Sequence, residues 1–219
     1  EANILAQNRV QNEKIMIHLP INLDTFGFVQ REKKNGVTVK YKCGRDFLYY
    51  ALHLLLPSQF NEQLNNPQQI DQKGLFGLAV SPAFAWTQIQ FFKLPKLLRE
   101  EALILQINRK EIHHFFGFLY AILFSRISYD EAVSLIEKSV NENKASGVDI
   151  ALRFQGLEDH VLFVYGYDEE NLYVFDTHKL PMINYEKITS DDRYVMKLSR
   201  SEVKKRWKRF SRVWELSKV

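Results

Sequence analysis

The stretch HVLFVYGYDEENLYVFD, residues 160–176, decides the fold class of this 219-residue chain. Apolar and aromatic side chains fill residues 161–167 and 172–175, and the four residues between them, DEEN, are typical of a turn. We therefore predict two antiparallel strands joined by a short connection. In such a hairpin the start of the first strand and the end of the second lie at the same edge. This arrangement would bring His160 close to Asp176.

The predicted proximity of His160 and Asp176 has a chemical interpretation. A carboxylate beside an imidazole accepts a hydrogen bond from one ring nitrogen and fixes the tautomer of the ring. The other ring nitrogen can then serve as a base toward a nucleophile. A histidine that opens one strand and an acid that closes the next form a constrained pair, whereas their mere presence in a sequence indicates little. His160 and Asp176 are therefore candidate catalytic residues.

The single cysteine of the chain, Cys43, is a candidate nucleophile. Residues 46–56 repeat apolar side chains at three- and four-residue spacing, which predicts an amphipathic helix that Pro57 ends. Cys43 then lies just before this helix or on its first turn, where free backbone N–H groups and the helix dipole favour a thiolate. A lone cysteine is also a common core residue, so a structural Cys43 is the alternative. One cysteine excludes an internal disulfide.

The rest of the sequence predicts a helical first half and a mostly antiparallel β second half, and hence an α+β fold. Helices are predicted over residues 95–107 and 110–124, and a third follows the capping box that Ser128 opens. From residue 148 the pattern changes to that of strands, with further strands predicted at residues 148–154 and 212–216. A short basic helix is predicted between these strands, after a second capping box at Ser199 and Glu202.

The length of the chain suits one large domain. Residues 1–36 are polar and are predicted to form an N-terminal arm or extended segment. The turn signal Asn35-Gly36 predicts a short hairpin or extended pair between residues 26–29 and 37–41. Residues 37–219 would form the domain, with a helical insertion at about residues 57–147.

Two motifs together resemble the papain-like cysteine peptidase superfamily: Lys42-Cys43-Gly44 before a helix, and the stretch from His160 to Asp176. Within that superfamily the chain is most similar to the bacterial bacteriocin-leader-peptidase-like (double-glycine peptidase-like) domains. Their pattern is Cys-Gly at a helix start, a His-led apolar strand, Gly-Tyr-Asp, and a strand that closes on Asp. The late segment that ends in Trp207 also resembles a helix of those domains.

The resemblance covers about residues 37–56 and 148–216, and it implies both a fold and an activity. The fold would be papain-like, with the nucleophile at a helix N-terminus packed on a mostly antiparallel sheet. The activity would be peptidase cleavage of an amide bond through a Cys43 acyl-enzyme, with His160 as base and Asp176 orienting it. Deamidation, transamidation and thioester hydrolysis use the same three groups, so they stay open.

Two positions depart from the family pattern. Val37 stands six residues before the cysteine, where such families usually carry a glutamine that helps to form the oxyanion hole. Gln30 and Asn35 are polar but have other spacings, so the oxyanion-hole donor is unassigned apart from the backbone N–H of Cys43. Thr177 follows the acid where proline is usual. The departure at Val37 favours the alternative of a catalytically inactive papain-fold binding protein.

A competing assignment uses Asp176-Thr177-His178, which resembles the Asp-Pro-His of proteases that process ubiquitin-like modifiers in autophagy. There the catalytic histidine follows the acid by two residues, and residues 176 and 178 would share one face of an extended segment. His178 is therefore the alternative catalytic histidine, and the alternative activity is that of a protease or deconjugase for such modifiers. We favour His160 because the strand around it matches the family at more positions.

Composition and charge exclude several other classes. The net charge of +4 is far from that of a dedicated nucleic-acid binder. The longest nearly pure apolar run, residues 115–124, is about half of what a transmembrane helix needs. His113 and His114 are adjacent, and neighbouring helical residues point about 100° apart, so they do not form a metal pair. We expect no metal or other cofactor, and a peptide or protein as the substrate.

The basic segment near the C-terminus has two interpretations. It could contact an anionic surface, but the pattern favours a solvated helix face anchored in the core by Trp207. Its cationic residues are Lys204, Lys205, Arg206, Lys208 and Arg209. A sequence that starts at Glu1-Ala2 fits an exported protein freed of its signal and equally a shortened chain, so it assigns no compartment.

Overall fold

The computed structural model describes residues 16–22, 33–34, 37–38, 43–57, 98–100, 102–153, 158–176, 180–188 and 195–219. The helices and strands named below fall in the following ranges. The helices are α1 (Cys43–Leu55), α2 (Phe115–Phe124), α3 (Tyr129–Asn141) and α4 (Arg200–Arg206). The strands are β1 (Ile17–His18), β2 (Lys33–Lys34), β3 (Val37–Thr38), β4 (Leu103–Ile107), β5 (Lys110–Glu111), β6 (Ala145–Arg153), β7 (Glu158–Tyr167), β8 (Asn171–Phe175), β9 (Tyr185–Lys187), β10 (Val195–Ser199) and β11 (Arg212–Lys218).

One large sheet organises the described residues. Its strands follow the order β5-β4-β11-β6-β7-β8-β10-β9, and β1 adds to one end of β7. Each pairing among the described strands is antiparallel. The predicted hairpin is confirmed: Phe163 lies opposite Phe175 and Tyr167 lies opposite Leu172. The α+β class and the mostly antiparallel sheet are therefore confirmed.

Helix α1 packs on the sheet through aromatic side chains. The ring of Phe47 lies 6.2 Å from that of Phe163 and 6.2 Å from that of Trp214. The ring of Tyr50 stacks on that of Phe175 at 4.9 Å. These aromatic residues are almost fully buried, so their packing stabilises the contact between the helix and the sheet. The packing fixes the position of the residue that opens the helix, Cys43.

A glycine in β6 makes this close approach possible. A Cβ built on Gly147 would lie 2.7 Å from two carbon atoms of the Phe47 ring, closer than real Cβ contacts. We expect Gly147→Ala to lower the free energy of unfolding by about 1–3 kcal/mol, because the ring is held by its neighbours and cannot yield cheaply. Urea unfolding measures the loss. Gly117→Ala is the control, since Gly117 lies in helix α2 and a Cβ built on it would meet His114 at an ordinary 3.7 Å. Equal losses of stability in the two variants would contradict the expectation.

The prediction of helix over residues 95–107 is wrong for Leu103–Ile107, and that over residues 110–124 is wrong at its start. Residues 103, 105 and 107 are buried and alternate with half-buried neighbours, the pattern of a strand that β11 covers on one edge. Asn108 and Arg109 have φ angles of 48° and 67°, which turn the chain back into β5. Helix α2 begins only at Phe115. Residues 103–107 are too few and too uniformly apolar for their spacing to distinguish a helix from a strand.

The structure describes two parts of the segment for which an N-terminal arm and a hairpin were predicted. Ile17–His18 pairs with Gly166 and Tyr167 of β7, so part of the expected N-terminal arm is a strand of the main sheet. Lys33–Lys34 pairs with Val37–Thr38, which agrees with a short hairpin, although residues 26–29 and the predicted turn residues lie outside the described residues.

The capping box predicted at Ser128 is confirmed in full, whereas the one predicted at Ser199 and Glu202 is confirmed only for the serine, because the Glu202 carboxylate contacts Arg206. The Ser128 side chain accepts from the backbone N–H of Glu131, and the Glu131 carboxylate accepts from that of Ser128. Ser199 caps α4 by accepting from the backbone N–H of Glu202. These two caps set the starts of α3 and α4.

Candidate active site

Cys43 is the first residue of α1 and is partly buried. At this end of a helix the backbone N–H groups have no partners within the helix, and the dipole favours a negative charge. The expected position of the cysteine, just before or on the first turn, is therefore confirmed. Because α1 packs on β7, its first turn is held against the strand that carries His160.

His160 and Asp176 meet at the edge of the β7–β8 hairpin. The Nε2 atom of His160 lies 2.9 Å from Oδ1 of Asp176, and each residue is only 3% exposed. His160 lies on β7 opposite Ile150 of β6, and Asp176 directly follows β8. The structure thus brings together the two residues that the hairpin argument paired.

The Cys43 side chain also lies close enough to the ring of His160 to raise the pKa of the histidine. Since Nε2 faces Asp176, the ring nitrogen left for the thiol is Nδ1. Burial lowers the pKa of His160, but the Asp176 carboxylate, the hydrogen bond to it and the Cys43 side chain outweigh burial and raise the pKa to about 10. An imidazolium held between a carboxylate and a thiol stabilises the thiolate form of that thiol.

The raised pKa of His160 has a consequence for stability. A group whose pKa rises on folding stabilises the fold fully below its unfolded pKa, near 6.5, and this contribution is lost as pH rises through the folded value of about 10. We expect the free energy of unfolding of the wild type to exceed that of His160→Gln by a few kcal/mol at pH 6, and the excess to shrink toward pH 10. Urea unfolding at several pH values measures it. A pH-independent difference would contradict the protonated state of His160.

Tyr185, at the start of β9, donates its hydroxyl to Oδ2 of Asp176. This contact was not predicted from the sequence. Tyr185 begins a three-residue strand, and no spacing in the sequence connects such a residue to Asp176. The contact depends on the order of strands β8, β10 and β9, which a single sequence does not reveal.

A buried charged cluster lies beside the histidine. Nη1 of Arg212 is 3.0 Å from Oδ2 of Asp149 and 3.5 Å from Oδ2 of Asp159, the residue before His160. Burial, followed by the charge of Asp159, raises the pKa of Asp149 although Arg212 lowers it; burial likewise raises the pKa of Asp159. This cluster joins β6, β7 and β11 next to the site.

Other predicted site residues are placed as follows. Val37 lies in β3, and His178, with Gln30 and Asn35, lies outside the described residues. His114 caps α2 by accepting from the backbone N–H of Gly117 at 3.1 Å. Among the described residues, no group of three or more His, Cys, Asp or Glu side chains could hold a metal ion.

The basic segment is partly engaged within the chain. Arg206 contacts Glu202 at 2.6 Å, and Lys204 lies 5.5 Å from the centre of the Tyr129 ring. Trp207 donates its indole N–H to the carbonyl of Ile127 at 3.2 Å, as expected of an anchoring side chain. In the parts of the chain that the structure describes, no helix is long and apolar enough to span a bilayer.

Comparisons with protein-family models, with curated proteins and with solved structures found no significant match.

Proposed function

We propose that this protein is a papain-like cysteine hydrolase that cleaves an amide bond in a peptide or protein. The observation that carries the proposal is the position of His160, whose ring is hydrogen-bonded to Asp176 and interacts with the Cys43 side chain. A nucleophile, a base and a residue that orients the base are the three groups that acyl transfer requires. The helix N-terminus at Cys43 supports the same assignment.

In the proposed reaction the Cys43 thiolate attacks the carbonyl carbon of the substrate, forming a C–S bond and a tetrahedral oxyanion. The backbone N–H of Cys43 is the oxyanion donor that the helix start offers. His160 gives its proton to the leaving amine as the C–N bond breaks, which leaves a thioester on Cys43. His160, now neutral, takes a proton from water as the water attacks the thioester. Release of the carboxylic acid restores the thiolate and the imidazolium.

Asp176 holds the imidazole through both steps. Its carboxylate keeps Nε2 occupied, so Nδ1 remains directed at the sulfur and at the leaving group. It also stabilises the imidazolium, because the opposite charge lies at hydrogen-bond distance in a site that excludes most water. Loss of the carboxylate is therefore expected to lower the rate.

A peptide library in H₂¹⁸O tests the proposed hydrolysis. The full chain is incubated with peptides from a digested proteome whose amines have been blocked, and mass spectrometry identifies new amino termini. Hydrolysis through a thioester predicts new termini and one ¹⁸O in each released acid, both absent with Cys43→Ala. Conversion of Gln or Asn side chains to acids would instead identify a deamidase. No Cys43-dependent product would favour a papain-fold binding protein, the interpretation that Val37 supports.

A further inference from the structure

We propose that Tyr185 is a positioning residue of this site, because its hydroxyl holds the Asp176 carboxylate in the orientation that keeps His160 charged and directed at Cys43. The inference rests on the proposed function, since it concerns the same three groups. It adds a fourth residue, from a separate strand, to the set that determines the reactivity of the cysteine.

The two oxygens of Asp176 have different partners. Oδ1 contacts Nε2 of His160 at 2.9 Å, and Oδ2 accepts the hydroxyl of Tyr185. A carboxylate held by a single hydrogen bond can still rotate about its Cβ–Cγ bond, which has a broad torsional preference. A second donor on the opposite oxygen restricts that rotation, so the Tyr185 contact would hold Oδ1 on the imidazole. Asp176 is almost fully buried, so water is a poor substitute for this donor.

A tyrosine suits this position electrostatically. A lysine or arginine would neutralise the carboxylate and remove the charge that supports the imidazolium of His160. The hydroxyl satisfies the buried oxygen without adding a charge. Burial, and then the Asp176 carboxylate, raise the pKa of Tyr185 well above its ordinary value, while Arg206 lowers it. Tyr185 therefore remains a donor throughout the pH range in which His160 titrates.

The surrounding structure holds Tyr185 in place. On β10, Leu198 lies between Tyr185 of β9 and Leu172 of β8, so the pairing connects Tyr185 to the strand that Asp176 follows. The guanidinium of Arg206 donates to the carbonyl of Met182, in the turn that leads into β9. Arg206 is fixed in turn by Glu202 at 2.6 Å. Arg206, the last residue of α4, thereby helps to hold Tyr185 at the site.

The test is the pH dependence of Cys43 alkylation by iodoacetamide, which needs no knowledge of the substrate. The full chain is compared with Tyr185→Phe and with Asp176→Asn. Tyr173→Phe is the matched control, since Tyr173 also donates its hydroxyl to an aspartate, Asp168, at 2.8 Å. Site-specific replacement of Tyr185 by O-methyltyrosine removes the donor but keeps the ring and oxygen. Replacement by 3-fluorotyrosine keeps the donor.

We expect Tyr185→Phe to slow alkylation about 5- to 10-fold at pH 6, with the rates converging above pH 9, where an ordinary thiol is ionised. O-methyltyrosine should behave like phenylalanine, whereas 3-fluorotyrosine and Tyr173→Phe should stay within about twofold of the wild type. In the Asp176→Asn background the effect of Tyr185→Phe should disappear, because the two changes break the same connection.

The outcomes separate this inference from the proposed function. If Asp176→Asn slows alkylation at pH 6 but Tyr185→Phe and the O-methyltyrosine variant match the wild type, the role of Tyr185 is overturned and the proposed function stands. A wild type that reacts no faster at pH 6 than the urea-unfolded chain overturns both. A loss that is equal at every pH overturns the positioning role, since it indicates restricted access. Should Tyr185→Phe fail to fold, the two tyrosine analogues decide the matter by the same criterion.

Discussion

His160→Gln is expected to slow the alkylation of Cys43 at pH 6 by on the order of 100-fold, since an ordinary thiol titrates near pH 8.5 and is almost fully protonated at pH 6. In the proposed site the ring of His160, whose pKa is raised to about 10, would place a positive charge next to the sulfur at pH 6. Glutamine can still donate to Asp176 but carries no charge. Stopped-flow alkylation from pH 5 to 10 measures the difference, which should shrink above pH 9.

His113→Gln is the control for this measurement. Its ring is exposed and contacts Glu111 at 3.2 Å on β5, at the far edge of the sheet from the hairpin. We expect its alkylation profile to match that of the wild type. Equal rates for wild type and His160→Gln at pH 6 would show that the histidine does not support the thiolate, and the catalytic assignment would lose its chemical basis.

Arg212→Met is expected to lower the free energy of unfolding by about 3–5 kcal/mol at pH 8. The guanidinium contacts Asp149, which is completely buried, and Asp159. Removing one partner of a buried ion pair leaves a charge that can be neither solvated nor paired. The loss should diminish toward pH 5, because protonation of the aspartates removes the uncompensated charge.

Two further variants separate charge from packing at Arg212. Arg212→Met combined with Asp149→Asn should recover part of the lost stability at pH 8, because the double change removes both charges of the 3.0 Å contact. Lys205→Met changes a side chain that is 75% exposed and should alter stability by less than about 0.5 kcal/mol. Additive losses in the double variant would contradict the ion-pair explanation.

The hairpin and the helix that follows Cys43 could be predicted from sequence because their signals are local. Strand β7 is a long apolar run with a polar turn after it, and α1 has regular apolar spacing with Pro57 at its end. Antiparallel geometry then placed His160 near Asp176. The contact between Cys43 and His160 spans more than a hundred residues and followed only from the family resemblance.

What the sequence did not predict depends on contacts between distant segments. Strand β4 is apolar except at Gln106, and it is a strand because β11 pairs along it. The side chain of Asn108 accepts from the backbone N–H of Val213 at 2.8 Å and helps to hold the turn after β4. The order of the strands brings Tyr185 to Asp176 and Arg212 to Asp149 and Asp159, and neither residue carries a motif. Their roles become visible only when the sheet is assembled.

The most direct test of the central claim is labelling of Cys43 by a thiol-directed electrophile at pH 6.5, followed by intact mass. The measurement compares wild type, His160→Ala and His178→Ala, each folded and in urea. We predict that wild type and His178→Ala label at least about tenfold faster folded than unfolded, whereas His160→Ala does not. The account is contradicted if His178→Ala loses the enhanced labelling while His160→Ala keeps it, or if the folded wild type labels no faster than the unfolded chain.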